Sequence, residues 1–307
     1  MTIQISDFAQ KHLSPVAKLL NEEYGSSYEF IPFDEKRVMS EIRRRNVRVL
    51  VAEEDDRVLG LIGTHKDERG EDIHWLATSG GHDRKAVEDT LVNIVEKNAE
   101  GDTISTMIDE ESPRIKDWTS RGYVLQPGFQ RMSARLDGLK HIPEVAEEIR
   151  LRSLGPGEEA KLVEVVNAGF GWSRLEFGDL EEWKVEDPPF NEEWVQVAEV
   201  GKRIVSAVVA KPDTNYMKDL HVKRGHLGPA ATLPEFRGKH LASALTARAM
   251  NFLFEKGMNS VILGTSEQNV SSIALLRSLG FQVENVRKIL RKELRKTLPP
   301  AARDEYH

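Results

Sequence analysis

The 307-residue sequence contains no cysteine. Disulfide bonds, thiolate metal sites, iron–sulfur clusters and cysteine nucleophiles are therefore excluded, and no metal cofactor is expected. No apolar run approaches the ~20 residues that a membrane-spanning helix needs. Residues 1–8 are polar and show no signal-peptide core, so a cytoplasmic protein without a membrane partner is expected.

The sequence also lacks a basic excess. Its 43 Lys and Arg residues against 50 Asp and Glu residues give a net charge of −7. A nucleic-acid partner is not expected, because neutralising phosphates requires a clear surplus of positive charge. Hydrophobic residues make up 39% and charged residues 30%, which is typical of a globular protein with an ordinary core.

The length predicts two domains at roughly 100–200 residues each, and a weak internal repeat supports this division. In both halves a strand and helix precede a hairpin, a further strand, a long amphipathic helix, another strand and a short helix. The short helices end alike, in Trp118-x-x-x-Gly122-Tyr123 and Leu276-x-x-x-Gly280-Phe281. Each glycine suits a left-handed helix cap. The pattern predicts an α/β fold (α+β with a mixed sheet) in two tandem copies.

The stretch with the clearest chemical implication is residues 233–242, Leu-Pro-Glu-Phe-Arg-Gly-Lys-His-Leu-Ala, which joins a predicted strand to a long helix. Backbone N–H groups at a helix's positive end bind phosphate oxygens without needing a particular side chain. Gly238 would let the backbone approach closely, and Arg237 and Lys239 would add positive charge. An ordinary solvated helix start is the alternative.

Residues 230–281 resemble the core of the GNAT superfamily, the GCN5-related N-acetyltransferases. The acetyl-CoA motif of that family, Arg/Gln-x-x-Gly-x-Gly/Ala after Pro-Glu-Phe/Tyr, is similar to residues 234–242 here. Its second motif begins with Asn and ends in Gly-Phe, as Asn269 and Gly280-Phe281 do. The resemblance implies acetyl-CoA as cosubstrate, held by Ala230, Ala231, Thr232, Arg237, Gly238, Lys239, His240, Leu241, Ala242, Asn269 and Ser272.

Two positions depart from the family pattern. His240 stands where the family has its central Gly, so its side chain would crowd or contact the pyrophosphate. Leu276 stands where the family often has the Tyr that protonates the departing thiolate. A general acid would therefore come from elsewhere, with Ser272 or water as candidates.

The resemblance also implies a gap between two strands that admits pantetheine. Gly228-Pro229 indicates the bulge that separates them, because proline fits a bulge better than a central strand; a strand that simply starts after Pro229 is the alternative. His226 stands where family members place a general base, and a histidine pKa near ~6.5 suits that role. The alternative for His226 is an ordinary polar residue at a strand start.

The family shapes its acceptor pocket from the first two helices and their loop. Here the corresponding candidates are Trp172, Arg174, Glu176 and Phe177, since aromatic rings and carboxylates can hold a cationic amine. Core packing of the aromatic residues is the alternative. A basic run from Arg287 to Lys296 is interleaved with apolar residues and indicates a terminal strand with solvated charges rather than a nucleic-acid site.

The first half resembles the same fold with its cofactor loop eroded. Residues 79–85 lack the Arg-x-x-Gly-x-Gly/Ala motif, and Glu111 stands where the second half has Asn269. A structural role is expected, with a second working site as the alternative. The layout is similar to that of tandem GNAT proteins such as mycothiol synthase, and no substrate is inferred from that similarity.

The predicted organisation is a degenerate GNAT-like domain at residues 1–138, a GNAT domain with the acetyl-CoA site at 147–296, and a flexible tail at 297–307. The expected activity is acetyl-CoA-dependent N-acetyl transfer to a primary amine of a small molecule or peptide by direct attack. The alternatives are a non-catalytic acyl-CoA-binding sensor or interaction protein, and O-acyl transfer or use of a longer acyl chain. The acceptor and the oligomeric state are not indicated.

Overall fold

A computed structural model of the chain describes residues 3–67, 70–81 and 84–294. The chain forms two compact units. The first unit comprises Met1–Gly128 with Arg287–His307, and the second unit comprises Phe129–Val286. Each combines helices with a mixed sheet, which confirms the predicted fold class. The predicted domain ranges 1–138 and 147–296 stay a prediction, and the predicted tail lies outside the described residues.

The elements of the first half alternate between strands and helices. In chain order they are β1 (Gln4–Asp7), a 3-10 turn (Gln10–His12), α1 (Leu13–Tyr24), α2 (Glu35–Arg44), β2 (Arg48–Glu54), β3 (Arg57–Asp67), β4 (Gly70–Thr78), α3 (Arg84–Asn98), β5 (Thr103–Asp109), α4 (Ile115–Ser120) and β6 (Val124–Arg135). The predicted hairpin is β2–β3, and both of its turn residues, Asp55 and Asp56, have a positive φ (48° and 61°).

The second half repeats this series. In chain order its elements are β7 (Ile149–Ser153), α5 (Glu159–Phe170), α6 (Asp179–Glu186), a 3-10 turn (Glu192–Trp194), β8 (Val195–Val200), β9 (Arg203–Pro212), α7 (Thr214–Leu220), β10 (Arg224–Thr232), a 3-10 turn (Pro234–Phe236), α8 (Leu241–Glu255), β11 (Ser260–Ser266), α9 (Val270–Ser278) and β12 (Gln282–Glu293). The predicted long helix is α8, and its residues Leu241, Leu245 and Ala249 are buried at intervals of four, as expected for one face of a helix.

Both sheets have the same strand order. The first unit reads β1-β2-β3-β4-β5, and the second reads β7-β8-β9-β10-β11. In each, the last two strands run parallel and the others antiparallel. The strand that closes each sheet comes from the other half of the sequence. Residues 287–293 of β12 pair with β5, and residues 129–135 of β6 pair with β11.

The helices α4 and α9 end in the same way, as predicted from the sequence. Gly122 and Gly280 have φ values of 87° and 94°. In the first unit the amide of Tyr123 donates to the carbonyl of Trp118 at 3.2 Å, and the amide of Phe281 makes the equivalent bond at 3.0 Å. This is the Schellman pattern that satisfies the last carbonyls of a helix, and both aromatic side chains are buried.

The basic residues of β12 make ion pairs with acidic residues of the first unit. The pairs are Arg287 with Asp109, Lys288 with Glu110, and Lys292 with Glu96. These contacts favour the interpretation of a terminal strand with compensated charges. Arg295 and Lys296 lie outside the described residues. Among the helices that the structure describes, none has the length and apolarity to cross a bilayer.

Candidate active site

The central feature of the second unit is a gap between two parallel strands. β10 pairs with β11 only over residues 224–226. Immediately afterwards the register of β10 against β9 shifts between Leu227 and Ala230, and Gly228 adopts a φ of 133°. The bulge predicted at Gly228-Pro229 is therefore confirmed, and beyond it β10 separates from β11.

The free edge of β10 presents backbone N–H groups to this gap. Leu233 donates its amide to the carbonyl of Val205 on β9 at 3.0 Å. Alternate residues of a strand direct their polar groups to opposite edges. The amides of Ala230 and Thr232 therefore face the gap, which is where the resemblance implied backbone donors.

The loop after β10 adds a second set of donors. Gly238 and His240 both adopt left-handed conformations, with φ values of 77° and 60°, and α8 begins at Leu241. In the described part of the chain no hydrogen bond occupies the N–H groups of residues 238–243. A helix leaves the N–H groups of its first turn free and concentrates positive potential there. This loop thus offers backbone donors of the kind that an anion accepts.

His240 shows why the family pattern has glycine at this position. Its backbone is left-handed, a conformation that costs a non-glycine residue about 1–2 kcal/mol. The His240 side chain is exposed. The departure from the family pattern therefore has a cost in backbone conformation, and a contact of the side chain with the diphosphate stays a prediction.

Arg237 has a bracing role in this structure. Its guanidinium donates to the carbonyl of Gly169 at 2.8 Å and to that of Thr232 at 3.4 Å. Gly169 lies near the end of α5, where an added Cβ would come within 2.8 Å of the Ala231 side chain. Arg237 thus fastens the end of α5 to the end of β10. The ammonium of Lys239 lies 5.1 Å from the centre of the Phe236 ring.

Asn269 and Ser272 lie at the start of α9, the helix that follows β11. The Asn269 side chain accepts a hydrogen bond from the amide of Ser272 at 3.2 Å and so caps the helix. The Ser272 hydroxyl lies 3.5 Å from that of Thr265. Leu276 is buried and carries no hydroxyl, so Ser272 stays the candidate acid within this helix.

His226 occupies the last position at which β10 pairs with β11, directly across from Lys211 on β9. Its Nδ1 atom is buried and has no hydrogen-bond partner. Burial, followed by four nearby cations, lowers its pKa to about 3. The imidazole is therefore neutral at pH 7. The four cations are Lys211, Arg131, Arg224 and Arg174.

The loop between α5 and α6 presents aromatic side chains to solvent. Trp172 is 49% exposed and Phe177 is 78% exposed, so neither is a core residue. The guanidinium of Arg174 lies 5.9 Å from the Trp172 ring, and the field of Arg174 reaches His226. The Glu176 side chain is exposed. The structure thus brings Arg174 near the gap. Trp183, by contrast, packs against the core.

Sequence reasoning missed a motif that both units share. Asn21-x-x-Tyr24-Gly25 and Asn167-x-x-Phe170-Gly171 are separated by a constant 146 residues. Each asparagine side chain ties down the following loop through paired hydrogen bonds with one backbone residue, Phe33 in the first unit and Leu175 in the second. The constant separation is the signal that could have revealed this motif.

The two copies of this motif differ in the aromatic residue beside the gap, which is Tyr24 in the first unit and Phe170 in the second. β4 pairs with β5 only over residues 71–73, so the same gap exists there. The amide of Leu76, at the position equivalent to Ala230, donates to the hydroxyl of Tyr24 at 3.0 Å. Burial raises the pKa of Tyr24 to about 12, so the hydroxyl is neutral. Phe170 has no such hydroxyl.

An ion-pair network borders the gap of the first unit. Glu23 stands where the second unit has Gly169, and it pairs with Arg84 and Arg114. The nearby Glu88 is buried. Burial alone would raise the pKa of Glu88, but three guanidinium groups outweigh it and hold the pKa below its usual value. These groups belong to Arg114, Arg84 and Arg121.

Residues 159–281, all within the second unit, match the Acetyltransferase (GNAT) family model. Mycothiol acetyltransferase from Saccharomonospora viridis is 28% identical over 150 residues, which are 46% of this chain and 48% of that protein. The chain thus spans about half the length of that relative. The enzyme of the same name from Mycolicibacterium smegmatis is 23% identical over 265 residues, 81% of this chain and 85% of that protein.

The fold comparison extends over both units. A tandem GNAT protein from the clavulanic acid biosynthesis pathway superposes with a TM-score of 0.68 at 14% identity, covering 96% of this chain and 100% of that one. The fold is therefore that of a tandem GNAT protein. Residues 159–281 are thus similar to the GNAT acetyltransferases, and the layout of the whole chain is similar to that of the mycothiol acetyltransferases.

Proposed function

We propose that the second unit transfers an acetyl group from acetyl-CoA to a primary amine of a small molecule or peptide. One observation carries the proposal. The N–H groups of Ala230 and Thr232 in the gap and those of residues 238–243 in the loop form one series of donors without partners. The amides and diphosphate of acetyl-CoA are acceptors of the matching kind.

The proposal gives each element of the site a role. Residues 230–232 hold the pantetheine through their backbone, and the loop of Arg237, Gly238, Lys239, His240, Leu241 and Ala242 holds the diphosphate. Asn269 fixes the start of α9, where Ser272 is the candidate acid. The side chains of Trp172, Arg174, Glu176 and Phe177 border the acceptor.

The cations around His226 supply a way to deprotonate the acceptor. Nearby positive charge lowers the pKa of a bound ammonium for the same reason that it lowers that of His226. The acceptor then enters as the free amine and releases its proton to solvent. Nδ1 of His226, which has no other partner, accepts a hydrogen bond from the amine and orients its lone pair toward the thioester. The role of His226 is thus orientation rather than full proton transfer.

The chemical step is direct attack. The amine nitrogen bonds to the thioester carbonyl carbon, the carbonyl oxygen takes negative charge against the gap-facing amides, and the carbon–sulfur bond breaks. The sulfur leaves as a thiolate, which its thiol pKa near ~8.5 permits without strong acid assistance. The attacking nitrogen, which carries an extra proton once the new bond has formed, releases that proton to solvent water, and Ser272 or water returns a proton to the thiolate.

Calorimetry with the full chain and acetyl-CoA tests the site. One equivalent should bind. Gly238→Asp should weaken binding about 100-fold, or about 2.7 kcal/mol, because it places a carboxylate against the diphosphate. Gly201→Asp is the matched control, since Gly201 also has a positive φ (63°) and an open surround. Two equivalents, no binding, or equal binding by Gly238→Asp and wild type contradicts the proposal.

Two observations favour a second candidate, a non-catalytic acyl-CoA-binding sensor. Leu276 is buried without a hydroxyl, and the pKa of His226 is lowered to about 3. Thiol release from acetyl-CoA across a panel of amines, amino acids and peptides separates the candidates. Saturable release with any acceptor supports the transferase, whereas tight binding without release across the panel supports the sensor.

A further inference from the structure

Three side chains with metal-ligating atoms converge in the first unit, outside the site described above. His65 on β3 lies directly across from Asp72 on β4. The register between these strands shifts after Gly63, so that His74 is an additional residue on β4. Such bulges redirect a side chain. One ligand atom from each of His65, Asp72 and His74 lies within 4.8 Å of the other two.

Hydrogen bonding does not account for the position of the His65 ring. Nδ1 of His65 is buried and has no hydrogen-bond partner. It lies 3.8 Å from an Asp72 carboxylate oxygen, which is too long for a hydrogen bond. The other carboxylate oxygen of Asp72 accepts from the Ser105 hydroxyl at 3.0 Å, and that contact orients the carboxylate. A buried acceptor aimed at a fixed carboxylate requires an explanation.

The second histidine of the cluster packs against the first. The rings of His65 and His74 meet edge to face with their centres 5.8 Å apart.

We propose that His65, Asp72 and His74 bind a divalent transition-metal ion of the Zn²⁺ class. Two imidazoles and one carboxylate suit such ions, whereas Ca²⁺ and Mg²⁺ prefer all-oxygen sites. Asp72 supplies negative charge that a dication needs, and Ser105 holds that ligand in place. Three protein ligands leave one coordination position for water.

The position of the site suggests what the ion does. Ile73 makes the last pair of β4 with β5, and His74 follows it. A bound ion would therefore join β3 to β4 at the point where the gap of the first unit opens. The ion would fix that bulge, and this consequence does not depend on the proposed function of the second unit.

The test uses the full chain after treatment with a chelator. Addition of Co²⁺ as a spectroscopic probe should produce visible d–d absorption that saturates at one equivalent. Saturating Zn²⁺ should raise the melting temperature by about 5–10 °C, and Mg²⁺ should have no effect. His65→Ala and His74→Ala should each abolish both responses. His141→Ala, a substitution of an exposed histidine, should retain them.

The proposal is overturned if the wild type shows no Co²⁺ bands, or if the Zn²⁺ response persists in the His65→Ala/His74→Ala double variant. Should either variant fail to fold, X-ray absorption on the Zn²⁺-loaded wild type decides instead. That spectrum should contain scattering from two imidazole rings. A spectrum with no imidazole scattering overturns the proposal without any variant.

Discussion

The two units share a sheet plan, a splayed strand pair and an Asn-x-x-aromatic-Gly motif, yet they treat the gap in opposite ways. In the second unit the gap-facing amide of Ala230 is free for a ligand. In the first unit the equivalent amide, that of Leu76, is taken by the Tyr24 hydroxyl. Glu23 replaces Gly169 beside the gap. In the first unit the protein's own Tyr24 hydroxyl therefore accepts the hydrogen bond of the gap-facing amide. In the second unit we propose that acetyl-CoA accepts it.

This difference is what we expect if the first unit has lost a binding site and kept its fold. A strand edge that no longer meets a ligand leaves N–H groups that are costly when buried. A hydroxyl on the adjacent helix end removes that cost. The gap itself persists, because the bulge and the strand register create it.

The largest effect is expected when Glu23 of the first unit is copied to the equivalent position of the second unit, Gly169. In Gly169→Glu the new Cβ would meet the Ala231 side chain at 2.8 Å, and the carboxylate would face the diphosphate. We expect acetyl-CoA to bind about 1,000-fold more weakly, or about 4 kcal/mol, by calorimetry. Gly138→Glu adds the same charge in an open surround and should bind normally. Binding by Gly169→Glu within threefold of wild type would refute the expectation.

The ion-pair network should matter for the stability of the first unit. Glu88→Gln removes the buried charge that Arg84, Arg114 and Arg121 share and leaves Arg121, only 8% exposed, with Asp89 as its remaining partner. This change should lower the free energy of unfolding by about 3 kcal/mol. Urea titration at pH 7 measures this. Asp117→Asn removes an exposed partner of Arg114 and should cost at most about 1 kcal/mol.

The same network predicts a pH dependence of that stability. The folded-state pKa of Glu88 is held below its ordinary value of 4.5. Its contribution is therefore present above pH 4.5 and is lost as the pH falls through the folded-state pKa. The wild type should lose more stability than Glu88→Gln on acidification below pH 4.5. Equal losses would show that Glu88 is not the group responsible.

Removal of the Tyr24 hydroxyl from the first unit, or addition of a hydroxyl at Phe170 of the second, should change stability or binding by a smaller amount. Tyr24→Phe leaves the buried amide of Leu76 without its acceptor and should lower the free energy of unfolding by about 1–2 kcal/mol. Phe170→Tyr should offer that hydroxyl to the second gap and weaken acetyl-CoA binding about tenfold, or about 1.4 kcal/mol. Unchanged binding by Phe170→Tyr would mean that the two gaps are not equivalent.

The smallest effect is expected at the loop that only the second unit retains. His240→Gly removes the backbone strain of a non-glycine residue that has a φ of 60°. Because glycine also gains freedom in the unfolded chain, the net stabilisation should be about 0.5–1 kcal/mol. Differential scanning calorimetry should show a slightly higher melting temperature. A lower one would mean that the His240 side chain makes a stabilising contact.

The sequence predicted the features that depend on local patterns. The hairpins, the long helix α8, the glycine caps at Gly122 and Gly280 and the bulge at Gly228-Pro229 all follow from residue spacing or backbone preference, and the structure confirms each. The lowered pKa of His226 could not be read from the sequence, because its largest cause is burial and three of the four nearby cations lie on other elements of the chain.

The sequence alone determined that this protein contains two α/β repeats and that one repeat carries a loop suited to an anion. These properties reside in short segments whose spacing fixes their conformation. The tertiary structure decided which strand closes each sheet, because a terminal strand can pair with any compatible edge. It also decided that Tyr24 occupies one gap while Phe170 leaves the other open, and that His65, Asp72 and His74 meet. Such contacts arise only when strand register and helix docking bring distant residues together.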